Sequence, residues 1–180
     1  MPAPPLEETA LIIVCIAAEE AVAGYRRRYD LAAQFGVPAH VTVTYPFRPP
    51  ADLGEDDRAA LRTLTAGFAP FTLEGRRTGR FDDRVVFVAL ENPAPVVELT
   101  NAVTQQFPDF PPYGGAFDEV VPHLTVAHDQ SHDVLLSAEN EVNRRLPFTM
   151  EVDRVELWAG PALTGPTRRE WRRIDSFALG

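Results

Sequence analysis

A seven-residue stretch that occurs twice constrains this chain more than any other feature in it. "VPAHVTV" runs from Val37 to Val43, and "VVPHLTV" runs from Val120 to Val126. Each leads through Val and Pro to a histidine, then to an aliphatic residue, a threonine and a valine. On a β-strand successive side chains point to opposite faces. Val41 and Val43 then share one face and His40 and Thr42 the other, and Leu124 and Val126 oppose His123 and Thr125 in the same way. Each strand drives an aliphatic pair into a core and lifts one imidazole and one hydroxyl onto the opposite surface. The two polar groups start about 6.6 Å apart at Cα, given roughly 3.3 Å of rise per residue. That spacing lets both converge on one phosphate-sized group. Ser and Thr total 16 of 180 residues. Four histidines would therefore meet a hydroxyl two residues on roughly 0.4 times by chance.

The flanking pattern repeats too. A buried strand over Ala10–Ala17 is followed by a helix over Glu19–Phe35, ended by Gly36 and Pro38, and then by the first motif strand, Ala39–Phe47. A helix over Asp52–Phe68 comes next, then two strands, Phe71–Phe81 and Arg84–Leu90, joined at Asp82-Asp83. A helix over Pro95–Phe107 and an irregular loop over Pro108–Glu119 lead to the second motif strand, Val121–His128. Ser131 is placed to cap a helix reaching about Arg145. Strands over Phe148–Ala159 and Arg169–Leu179 flank the turn-like "GPALTGP". Strand, helix and motif strand thus occur twice in the same order. Hairpins stand among the crossovers, which favours an α+β fold of two related lobes over a doubly wound parallel sheet. With no linker or low-complexity segment, residues 1–180 read as a single domain.

A chain of this length buries about 70% of the surface its unfolded form exposes, so it needs no staple. The single Cys15 lies in the apolar run "ALIIVCIAA" and reads as a buried thiol in a reducing compartment. That run is too short to span a bilayer. The stretch "MPAPPLEET" is acidic where a signal peptide would be basic. The expectation is a cytoplasmic monomer with no membrane partner. All 17 basic residues are Arg, and 26 acids leave a net charge of −9. Such a chain repels long polyanions, which excludes a general nucleic-acid coat protein but leaves room for a small phosphorylated ligand.

Paired His-x-Thr motifs about eighty residues apart resemble those of the two-histidine (2H) phosphoesterases, a group that includes 2′,5′-RNA ligase-like proteins and 2′,3′-cyclic nucleotide phosphodiesterases. The carriers are "HVTV" at His40–Val43 and "HLTV" at His123–Val126, extended by "AHVTVTYPF" and "PHLTVAH". The likeness runs from Leu11 to the C-terminal strand. It implies a bilobal, pseudo-symmetric α+β fold: two mostly antiparallel sheets face each other across a central cleft, with helices outside. It also implies a nucleotide or RNA-end substrate and chemistry without a metal or other cofactor. His40 and His123 would be the acid–base pair, and Thr42 and Thr125 would hold the phosphate. The chemistry is sound on its own terms. Imidazole titrates near neutrality, so a facing pair can hold one neutral and one protonated member, and hydroxyls can donate to the oxygens on which charge grows.

Other residues are less specific. Tyr113 or Phe117, in the loop "FPDFPPYGGAFDEV", could stack on a base. Tyr45 shares the Val41–Val43 face in strict alternation and reads as core, whereas Thr44 extends the His40 face. Arg48, Arg80 or Arg84 could neutralise a second phosphate. "YRRRYD", "EGRR" and "RREWRR" read as solvated surface. His128 and His132 have a spacing that suits a metal on a helix. However, His128 alternates to the face opposite His123 and His132 falls at a helix start, which argues against a metal site. The rival readings are a non-catalytic nucleotide-binding module and a metal-dependent hydrolase using those two histidines. From the charge alone, long duplex RNA should bind weakly at physiological salt in a filter-binding assay, and tight capture of unrelated duplexes would overturn that expectation.

Overall fold

The computed structural model describes residues 8–163 and 170–180. Eight strands form two four-stranded antiparallel sheets. The first contains β1 (Glu8–Val14), β2 (His40–Thr44), β7 (Arg154–Gly160) and β8 (Arg172–Ala178), in the order β2-β1-β7-β8. The second contains β3 (Phe71–Phe81), β4 (Val85–Leu90), β5 (His123–His128) and β6 (Phe148–Val152), in the order β5-β4-β3-β6. Helices α1 (Glu19–Tyr29), α2 (Leu31–Gln34), α3 (Glu55–Thr65), α4 (Ala94–Gln106) and α5 (His132–Asn143) complete the α+β fold. Among the described residues, no helix is long and apolar enough to cross a membrane.

The two motif strands, β2 and β5, are the end strands of their sheets, and they lie against each other where the sheets meet. Their aliphatic residues all reach one core. Val41, Val43, Leu124 and Val126 are fully buried in it, with Leu11 and Ile13 of β1 and Val86 and Val88 of β4.

Three expected elements differ. The helix expected over Glu19–Phe35 breaks at Asp30, whose backbone is extended (φ −122°, ψ 117°) and whose Oδ1 accepts from the Ala32 amide. Asp is a strong N-cap, so it starts α2 rather than continuing α1. The strand expected over Phe148–Ala159 is two strands in different sheets. Its buried apolar positions fall on even numbers at Phe148 and Val152 and on odd numbers at Val155, Leu157 and Ala159, so the apolar face switches at Asp153. The first strand ends at Val14, and a short 3₁₀ turn over Ile16–Ala18 follows it. Part of the "GPALTGP" turn, together with Arg168 and Arg169, lies outside the described residues, as does most of "MPAPPLEET".

Leu124, fully buried in this core, gives a direct test of this packing. Leu124→Ala should cost about 2–5 kcal/mol in urea unfolding, and a loss below about 1 kcal/mol would mean the motif strand does not anchor the core.

Candidate active site

Both motif strands follow the alternation their letters dictate. His40, Thr42, His123 and Thr125 are all half-buried, while the aliphatic residues between them are fully buried. Across the ladders Val14 faces His40 and Ile12 faces Thr42; in the other sheet Ala89 faces His123 and Phe87 faces Thr125. One residue further on, both ladders slip. Leu11 pairs with Thr44, passing over Val43, and Val86 pairs with Ala127, passing over Val126. Each motif's last valine is therefore the extra residue of a β-bulge, a device that commonly sits beside functional sites and re-aims side chains.

The bulge corrects three sequence readings. Thr44 does not extend the polar row: it is fully buried and donates to the Phe110 carbonyl at 3.1 Å. Tyr45 is not on the Val41–Val43 side but joins His40 and Thr42 in lining a cleft pocket. His128, which strict alternation would turn inward, is exposed and lies 3.3 Å from the Asp129 carboxylate.

The imidazoles are held identically. His40 Nδ1 lies 2.8 Å from the Pro38 carbonyl and His123 Nδ1 lies 2.7 Å from the Val121 carbonyl, each two residues upstream. A carbonyl can only accept, so Nδ1 carries the hydrogen in both rings. Nε2 is then the nitrogen left to titrate, a lone pair when the ring is neutral and a donor when it is protonated.

What supports the clamps differs. On the first strand, Arg26 donates to the Val37 carbonyl at 3.3 Å, Glu19 accepts from the Ala39 amide at 2.6 Å, and the Cys15 amide donates to the Ala39 carbonyl at 2.6 Å. The segment carrying the Pro38 carbonyl is pinned on both sides. Arg26 itself is 2% exposed and pairs with Asp30 at 2.7 Å. "YRRRYD" is therefore not wholly surface. Ala18, Val22, Arg26 and Asp30 are all buried at intervals of four, and that continuation of an apolar stripe was the signal. On the second strand the support is aromatic. Phe81 and Phe87 stack at 4.2 Å, and His123 meets them at 4.8 and 5.3 Å.

These surroundings favour neutral rings. Burial, then the Arg26 cation, pushes His40 down to about 4; the charge on His123 adds to that, while the Pro38 carbonyl and Asp30 oppose it. Burial also lowers His123, against the Val121 carbonyl and Asp30.

Tyr113 is tethered to the first motif. Its amide donates to the Tyr45 carbonyl at 2.6 Å. Its backbone is left-handed (φ 53°), an uncommon and costly state for a bulky residue. Phe117 is exposed and packs edge-on to Tyr113 at 5.7 Å. Arg48 is engaged elsewhere, 3.3 Å from Asp57 and stacked over Phe110. Arg80 pairs with Glu139 and Arg84 with Asp129. No group of three metal-ligating side chains comes together among the described residues.

The sequence matches the 2′-5′ RNA ligase superfamily over residues 16–161, so the chain belongs to that family. No curated protein matches it in sequence. Among solved structures it is similar in fold to Escherichia coli LigT in its apo form (18% identity, TM-score 0.60, 98% of this chain and 99% of that one). It is similar to LigT complexed with 3′-AMP (18% identity, TM-score 0.58, 98% and 99%). It is also similar to TT0787 of Thermus thermophilus (21% identity, TM-score 0.57, 96% and 97%). Its fold is similar, too, to that of a solved phosphoesterase (20% identity, TM-score 0.57, 96% of this chain and 98% of that one).

The His40 surroundings set a pH dependence of stability. The unfolded chain takes a proton near pH 6.5, roughly the ordinary histidine value, and the folded ring resists it down to about 4. The stability from a neutral His40 is therefore present above about pH 6.5 and is lost as pH falls toward about 4. The melting temperature should drop across that window, and His40→Gln should lessen the drop. An unchanged drop would assign the acid lability to other groups.

Proposed function

We propose that the protein is a metal-independent phosphodiesterase that opens a 2′,3′-cyclic phosphate or cleaves a 2′,5′-linked phosphodiester of a nucleotide or RNA end, with RNA-end joining as the reverse reaction. The observation that carries this reading is the matched pair of imidazoles, each tied at Nδ1 and each without an Nε2 partner among the described residues, on abutting end strands. A protein that only binds needs no matched donor and acceptor.

For a cyclic phosphate, one Nε2 lone pair takes a proton from water as the water oxygen bonds to phosphorus. The other Nε2–H gives its proton to the ribose oxygen whose bond to phosphorus breaks. The proton has then passed from one ring to the other, and exchange with solvent resets the pair. Thr42 and Thr125 donate to the non-bridging oxygens as their charge grows. Tyr113 and Phe117 border the nucleoside. Arg48, held by Asp57, is suited to fixing the end of β2 rather than reaching substrate.

His40→Ala and His123→Ala should each cut turnover by about 10²–10⁴, and Thr42→Ala and Thr125→Ala by up to about 10²–10³. The double histidine variant should fall short of the product of the singles, as groups acting together do. Activity should survive EDTA. The kcat/KM profile, which reports the free enzyme, should be bell-shaped with its maximum below about pH 6.5, because both free rings titrate below their ordinary value. Full turnover in His123→Ala would sink the paired mechanism.

A further inference from the structure

The row of side chains that begins at His123 continues across the second sheet to a residue the reaction as derived above does not use. His123 pairs with Ala89 of β4, and Ala89 pairs in turn with Arg77 of β3. Directly opposed residues of an antiparallel sheet project from the same face. The row beside it runs Thr125, Phe87, Gly79. Its face is fixed independently, because a Cβ at Gly79 would meet the Phe87 ring at 2.7 Å. Phe81, two residues further along β3, stacks on Phe87 and meets His123. Arg77, Gly79 and Phe81 thus alternate onto the face that carries His123 and Thr125.

A third bulge turns Arg77 that way. Gly75 faces the core, where a Cβ would strike Val88 and Phe148, and strict alternation would send Arg77 inward with it. Instead Gly75 pairs with Leu90 and Arg77 with Ala89, passing over Arg76, and the extra residue re-aims the side chain. Ala89 ends at its Cβ, so no tall side chain separates Arg77 from His123. Two strand spacings of about 4.8 Å put their Cα atoms about 9.6 Å apart, a gap that a long guanidinium side chain can lean across. Arg77 is exposed. The other arginines of β3 are neutralised, Arg76 by Glu74 at 2.7 Å and Arg80 by Glu139 at 2.9 Å. Arg77 makes no ion pair among the described residues. In a chain of net charge −9, an uncompensated guanidinium in line with His123 is a place for an anion.

We propose that Arg77 anchors a second phosphate of the substrate, one nucleoside removed from the phosphorus that the histidine pair serves. The inference rests on the phosphodiesterase reading and adds to it a residue that selects among phosphodiesters. The reacting phosphate already has donors from both motif strands, whereas Arg77 stands two strands away from them. Its planar fork offers two parallel N–H donors to phosphate oxygens. An internal phosphate of a strand and a terminal 5′-phosphate present the same oxygens to it.

The test compares three probes: uridine 2′,3′-cyclic phosphate, the same compound carrying a 5′-phosphate, and the dinucleotide UpU ending in a 2′,3′-cyclic phosphate. The first has one phosphate and the others two. The wild-type protein should show a higher kcat/KM for the two-phosphate probes. Their log kcat/KM should also fall more steeply with log salt, by about 0.7 for the added contact. A gain with the dinucleotide identifies a strand phosphate, and a gain confined to the 5′-phosphorylated compound identifies a terminal one. Arg77→Ala should lower the ratio of two-phosphate to one-phosphate kcat/KM roughly 10-fold and remove the extra salt slope. Arg77→Lys keeps the charge, so it should keep the slope while losing part of the ratio with the fork. If the wild-type protein turns over all three alike, or Arg77→Ala slows all three by one factor, the assignment is wrong and the phosphodiesterase reading stands. If none of the three is turned over, both fall together.

Discussion

The hydrogen bond from an imidazole Nδ1 to the carbonyl two residues upstream is the contact on which the proposed chemistry depends. A histidine on an end strand has a whole face of free space in which to turn. The clamp removes that freedom, fixes the tautomer and leaves one nitrogen to act. Because the carbonyl precedes the histidine by two residues in both motifs, the first letters need not match: Pro38 supplies it once and Val121 the other time.

The two clamps are alike, but their foundations are not. The first rests on a buried ion pair, Arg26 with Asp30, which holds the Val37–Ala39 segment from below. A buried pair is a risky foundation, since removing one partner strands the other charge in a poorly solvated place. The second rests on two stacked phenylalanines. Burial makes both rings resist protonation, and at His40 the Arg26 cation adds to it. A pseudo-symmetric pair can in this way divide into unlike members without any change in the motif itself.

The sequence was most legible where period and burial coincide. His40, Thr42, His123 and Thr125 could be placed on one kind of face from alternation alone, and the repeated strand–helix–strand order indicated two related sheets. The bulges at Val43 and Val126 could not be read, because a bulge is a feature of pairing between strands and leaves no mark in the letters of one strand. Missing them sent Thr44 and Tyr45 to the wrong faces. The split at Asp153 was in principle visible, since the buried apolar positions change from even to odd numbers there. Arg26 was hidden by its neighbours: Arg27 and Arg28 are exposed, and a run of three arginines suggests a solvated face until the stripe through Ala18 and Val22 is followed to its end. Trp158 and Trp171 lie on either side of a turn, and only the β7–β8 pairing makes them neighbours.

That pairing also governs the order in which the molecule can assemble. The β3–β4–β5 part of the second sheet, which carries the second motif, comes from the middle of the chain, but β1 finds its second neighbour only in β7, with Glu8 opposite Gly160. Loop closure of that span is entropically costly, and native pairings this distant are made late. Until β7 arrives, the first motif strand has one ladder partner and half a wall. The cleft is therefore the last part of the fold to become complete, and a chain stalled short of its final strands would hold a finished second half-site facing an unfinished first one.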